Sequence, residues 1–118
     1  MVSASRMNPD ATELTIERVL RLVEALPSGS VTTYGDLGRA LGTNARMVGR
    51  IMSTVGGSVA WWRVVNARGT LPDHLVASAS AHWRQESIPL AGPGRVALSR
   101  CRLGATTLVS LARDSPPG

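Results

Sequence analysis

The alternation of apolar and polar positions divides this chain into a helical first half and a second half of short segments punctuated by Gly and Pro. From Thr12 to Leu26, the residues Ile16, Val19, Leu20, Val23 and Leu26 fall on one face, with Glu17, Arg18, Arg21 and Glu24 opposite. This spacing predicts an amphipathic support helix, stopped by Pro27 and followed by a Ser28-Gly29 turn. Val31-Thr32-Thr33 reads as a short β-branched segment, with Thr33 placed to cap a helix over 34–41. Gly42 stands where a helix C-terminus needs it, and Thr43 or Asn44 can cap a second helix over 44–55. Two short helices joined through a Gly turn form a helix-turn-helix pattern.

The second of these helices carries the more specific signal. At 100° per residue, Met47, Val48, Ile51, Met52 and Val55 share one side, and Arg46, Gly49, Arg50 and Ser53 share the other. A glycine in mid-helix costs about 1 kcal/mol relative to alanine. That cost is understandable if a phosphate backbone must come close to the helix.

Beyond Gly56-Gly57-Ser58 the pattern is less regular. Val59-Ala60-Trp61-Trp62-Arg63-Val64-Val65-Asn66 places two of the chain's three tryptophans side by side, ahead of a predicted strand over 62–65. Asn66-Ala67-Arg68-Gly69 reads as a turn, 71–77 is ambiguous, and 78–87 is expected to be helical. Val96-Ala97-Leu98 is a second extended candidate, and 104–118 is expected to be a disordered tail. The expectation is therefore one domain over 12–103, mainly α with short strands, preceded by a flexible lead-in over 1–11.

Composition sharpens this picture. The net charge is +5, and the thirteen basic residues are all arginine. Guanidinium groups grip phosphate in two places and stack on bases, which biases the surface towards nucleic acid. The single cysteine, Cys101, precludes an internal disulfide and suits a reducing compartment. With no apolar run of membrane-spanning length and no signal pattern, the expected location is the cytoplasm, at the nucleoid if the source is bacterial.

Catalytic chemistry is sparse. His74, His82 and Cys101 lack the spacing of a metal site, and the two histidines read as surface residues. No phosphate-binding Gly loop or nucleophile elbow occurs. Cys101, between Arg100 and Arg102, is the one candidate for a lowered thiol pKa. No cofactor and no metal are expected.

Three ordered motifs carry a resemblance. Leu26-Pro27-Ser28-Gly29-Ser30-Val31-Thr32-Thr33-Tyr34-Gly35-Asp36-Leu37 resembles the opening of the DNA-binding domain of O6-alkylguanine-DNA alkyltransferases. Ala45-Arg46-Met47-Val48-Gly49 is similar to that family's recognition helix, and Trp61-Trp62-Arg63-Val64-Val65-Asn66 falls at its Pro-Cys-His-Arg-Val active-site motif. Here Ala60 stands for the proline, Trp61 for the alkyl-accepting cysteine and Trp62 for its activating histidine. An indole cannot make the thiolate displacement on which alkyl transfer depends.

The pattern is similar to alkyltransferase-like proteins, which keep the scaffold and carry Trp at the cysteine position. The resemblance implies a winged helix-turn-helix-like fold and a non-enzymatic sensor. Such a protein binds O6-alkylguanine in duplex DNA from the minor groove, flips the base and flags it for nucleotide excision repair proteins. It implies Arg46 as the finger filling the vacated stack and Tyr34 as the group crowding the 3′ phosphate. Thr33, Gly49, Arg50 and Ser53 would complete the DNA contacts, and Trp61, Trp62, Arg63 and Val64 would form the lesion pocket.

The helix-turn-helix pattern by itself points instead to the major groove. Two alternatives therefore stay open: a helix-turn-helix regulator without lesion specificity, and residual alkyl transfer. No dimerisation helix is evident, so a monomer is expected.

Overall fold

The computed structural model describes residues 11–114; residues 1–10 of the expected lead-in over 1–11 and the end of the expected tail, 115–118, lie outside the described residues. The elements run α1 (Ala11–Ala25), β1 (Thr32–Thr33), α2 (Tyr34–Leu41), α3 (Ala45–Val55), β2 (Val64–Val65), α4 (Asp73–Gln85), β3 (Leu90–Gly92), β4 (Arg95–Val96), α5 (Leu98–Cys101) and α6 (Ala105–Asp114). This is the mainly helical architecture with short strands that the pattern predicts. No described helix is long and apolar enough to cross a membrane.

Local chemistry fixes the helix pair. The Thr33 hydroxyl accepts from the Asp36 N–H at 3.1 Å and starts α2, while Gly42 ends it in the left-handed region at φ 74°. Asn44 Oδ1 then accepts from the Met47 N–H at 2.9 Å and starts α3. Gly38 permits the tight corner: a Cβ there would stand 2.8 Å from Asn44 Cα. Asp36 is buried behind the cap and accepts from Arg39 and from Arg102, the latter through Nε at 2.7 Å. Burial raises the Asp36 pKa, but hydrogen bonds from Arg102 and Arg39 outweigh it and hold the carboxyl below its ordinary value.

β1 and β2 pair in parallel, Thr32 with Val64 and Thr33 with Val65. On the other side of β1, the Val31 N–H donates to the Cys101 carbonyl at 3.0 Å and the Leu103 N–H to the Val31 carbonyl at 2.8 Å. This ribbon separates two cores, because adjacent strand residues face opposite ways. Val64 joins Val19, Leu22, Val23, Leu37, Val48 and Ile51 in one cluster. Val65 joins Val31, Leu71, Ala79, Trp83, Ile88 and Val96 in the other. Tyr34 and Trp61 touch both clusters and so mark the seam.

Four expectations need correction. Residues 61–63 form a 3-10 turn, so only Val64–Val65 of the predicted strand is extended. The helix expected over 78–87 begins five residues earlier, at Asp73, because Pro72 and Asp73 suit a helix start. Leu98 begins α5 rather than continuing an extended segment, and β4 pairs instead with β3 as an antiparallel hairpin. The largest change is α6 in the expected tail. Its Leu108 is 0% exposed in the first core, and burying a leucine of this kind stabilises by about 2 kcal/mol.

Candidate nucleic-acid interface and adjoining cavity

The outer face of α3 is basic and open. Arg46 and Arg50 are exposed and have no ion-pair partner among the described residues. No acidic residue occupies the first turn of this helix, where Arg46 lies. A cation at a helix N-terminus opposes the macrodipole by about 0.3–1 kcal/mol, so helix stability does not explain Arg46. Between the two arginines, Gly49 leaves open space: a Cβ there would meet nothing within 4 Å. The Ser53 hydroxyl donates to the Arg50 carbonyl at 2.9 Å and is exposed. Thr33 does not join this face, since it is buried and its hydroxyl is used in capping α2.

Beside α3 lies a cavity of about 640 Å³, within the range of small-molecule sites. Tyr34, Met52, Trp61, Leu71 and Leu75 give it apolar and aromatic walls, while Gly49 and Ser53 connect it to the outer helix face. Burial raises the Tyr34 pKa, which keeps the phenol neutral. Asn66, Arg68, Thr70 and His74 add polar groups to the lining. Flat rings beside an exposed basic helix suit a nucleobase, because stacking on aromatic faces is available to every base.

The loop carrying Arg68 is fixed by Asn66. Its Oδ1 accepts from the N–H groups of Arg68 at 2.9 Å and Thr70 at 3.0 Å, and its Nδ2 donates to Thr70 Oγ1 at 2.7 Å. Gly69 adopts φ 82° and lies so near β4 that a Cβ would stand 2.5 Å from the Val96 carbonyl oxygen.

Of the four residues expected to form the pocket, only Trp61 lines it. Val64 is fully buried in the first core. Trp62 and Arg63 turn instead towards Glu86. The carboxylate accepts from Trp62 Nε1 at 2.7 Å, from Arg63 Nε at 2.9 Å and Nη2 at 2.7 Å, and from the Gly29 N–H at 2.9 Å. Arg63 Nη1 also donates to the Leu26 carbonyl at 2.9 Å, tying the turn to the end of α1. Burial raises the Glu86 pKa, but the bonds from Arg63, Gly29 and Trp62 and the Arg63 charge dominate and hold it at about 2.

His82 is not the free surface residue expected. It is half-buried, stacked on Trp62, and edge-on to Trp61 with ring centres 5.9 Å apart. Cys101 is likewise corrected. Burial raises its thiol pKa despite the opposing pull of Arg100, and it does not line the cavity. Sequence reasoning missed Arg68, His74, Asn66 and Thr70 as cavity residues. The turn over 66–69 is legible in the sequence, but its position at the cavity depends on the β4 contact at Gly69.

Comparison with known proteins places this geometry in a family. The family described as 6-O-methylguanine DNA methyltransferase, DNA binding domain, matches residues 15–88. The chain is similar to the DNA base-flipping protein of Escherichia coli (strain K12), 36% identical over 94 residues that cover 73% of this chain and 71% of that protein. The DNA base-flipping protein of Shigella flexneri matches with the same identity and coverage.

Among solved structures, the fold is similar to that of S. pombe Atl1, crystallised in complex with damaged DNA containing O6-carboxymethylguanine. That match has a TM-score of 0.66 and 24% identity, and covers 76% of this chain and 94% of that one. At this identity the likeness concerns the fold. The family match and the 36% identical relative lead to one conclusion: the chain belongs to the 6-O-methylguanine DNA methyltransferase DNA-binding-domain family.

Proposed function

We propose that this protein is a non-enzymatic sensor of O6-alkylguanine in duplex DNA. One observation carries the reading: the cavity beside the exposed arginines of α3 has an indole, Trp61, where the resemblance puts the alkyl-accepting cysteine. The cavity wall can receive a base and its alkyl group, but no thiol lines it.

Docking of α3 in the minor groove would bring Arg46 to the vacated stack, with Tyr34 beside the 3′ phosphate and Gly49 and Arg50 against the backbone. Extrusion of a base costs a few kcal/mol, and least for a weakened pair. O6-alkylation removes a hydrogen-bond donor of guanine, which favours the damaged base at that step. The naming of the Escherichia coli relative as a base-flipping protein supports extrusion. The damaged DNA bound to S. pombe Atl1 supports the lesion class. The held complex would then be passed to nucleotide excision repair.

The test is a titration against two duplexes that differ only in one O6-methylguanine, followed by an assay of the lesion. Binding at least about tenfold tighter to the damaged duplex, worth about 1.4 kcal/mol, with the lesion intact is expected. Equal affinity would leave a general DNA binder. Radiolabelled methyl on the protein would establish transfer instead.

A further inference from the structure

A second concavity, of about 430 Å³, opens at the other end of α2 from Tyr34 and shares no lining residue with the cavity beside α3. Ala40 and Leu41 of α2 and Ala112 of α6 supply half-buried apolar surface over Leu22 of α1, which is buried in the first core. Arg18 and Arg21 of α1 and Arg113 of α6 supply three guanidinium groups. Arg18 and Arg113 are exposed, with no ion-pair partner among the described residues. Arg21 has only a 3.6 Å contact with Glu17, itself largely exposed. Such a surface pair contributes about 0–1 kcal/mol and leaves the arginine available. Arg113 and Ala112 lie beyond residues 15–88, so this groove is not contained in the region that defines the family.

We propose that this groove docks an acidic amphipathic helix of a protein partner. The charge favours an anionic occupant, since three arginines from two helices line the concavity. The apolar surface between them selects among anionic occupants. A phosphate backbone offers charge but no aliphatic side chains, whereas an amphipathic helix offers both, with apolar anchors at i, i+3 or i+4, and i+7. Residues 1–10 and 115–118 do not complement the charge. Residues 1–10 contain one acid, Asp10, offset by Arg6, and 115–118 contain none. The groove and the cavity beside α3 share no lining residue and can be occupied together, as a sensor that hands its complex to another protein requires.

The proposal is tested on the isotopically labelled full chain by amide chemical shifts. The probe is a synthetic peptide of about four helical turns, with Leu on one face and Glu elsewhere. Its control has Lys for every Glu, and an undamaged duplex is titrated separately. The Glu peptide is expected to shift the amides of Leu22, Leu41 and Ala112 and to leave those of Gly49 and Asn66 in place. The Lys peptide is expected to shift none of them. Replacing both Arg18 and Arg113 by Gln is expected to raise the peptide Kd at least about tenfold, with the melting curve retained, and Arg46→Ala to leave the peptide Kd unchanged. Equal response to both peptides would overturn the proposal, as would an unchanged Kd in the double variant. Shifts at Leu22, Leu41 and Ala112 on adding the duplex alone would assign the groove to DNA, and equally overturn it.

Discussion

The His82 imidazole lies flat on the Trp62 indole, with ring centres 3.6 Å apart and planes 5° from parallel. Trp61 meets Trp62 nearly at right angles, 84° between planes, with centres 5.7 Å apart. The two neighbouring tryptophans thus divide the work: Trp62 is held by His82 and Glu86, and Trp61 is free to wall the cavity.

This division predicts different defects at the two positions. Trp62→Phe keeps a ring against His82 and loses the bond to Glu86, a loss of about 1 kcal/mol in unfolding free energy. Trp62→Ala removes both and should cost about 3 kcal/mol, measured by urea denaturation. Trp61→Ala should weaken binding to the damaged duplex more than Trp62→Phe does. Equal losses of affinity would return Trp62 to the cavity wall.

Glu86 makes stability depend on acid. Its carboxyl is held at about 2, against an ordinary 4.5, so the folded state favours the ionised form. The resulting stabilisation is present above about pH 4.5 and is lost as the pH falls towards 2. Over that window it amounts to at most about 3 kcal/mol. Melting temperatures of the wild type and of Glu86→Gln, followed from neutral pH to pH 2, should converge at the acid end. Parallel curves would mean that Glu86 is not the group responsible.

Gly49→Ala should change stability and binding in opposite directions. The added methyl meets open space, so the gain in helix propensity, up to about 1 kcal/mol, should raise the melting temperature. The same methyl would stand between α3 and an approaching backbone and should weaken DNA binding. A stabilised variant with unchanged affinity would make the glycine incidental.

Arg46→Ala should leave the melting temperature near that of the wild type, since the side chain is exposed and pairs with no described residue. Its affinity for the damaged duplex should fall by about 2 kcal/mol or more, roughly thirtyfold. Fluorescence anisotropy at fixed salt reads this directly, because counterion release makes affinities at different salt incomparable. A loss of less than threefold would remove the finger role.

The sequence by itself determined what local chemistry can encode. Thr33, Gly42 and Asn44 set the caps and stop of the helix pair, and the 3.6-residue period of 44–55 sorted Arg46, Gly49, Arg50 and Ser53 from the apolar side. Those signals lie within a few residues of what they specify. Tertiary structure decided the rest. Leu108 and its neighbours become α6 because a vacancy in the first core accepts them, and propensity alone does not reveal that vacancy. Trp61 and Trp62 look alike in the sequence, yet Glu86, 24 residues beyond Trp62, takes one of them out of the cavity. Arg68 and His74 reach the cavity because β4 fixes Gly69 and α4 begins at Asp73. Each outcome depends on a partner distant along the chain and adjacent only after folding, and therefore invisible to any local pattern.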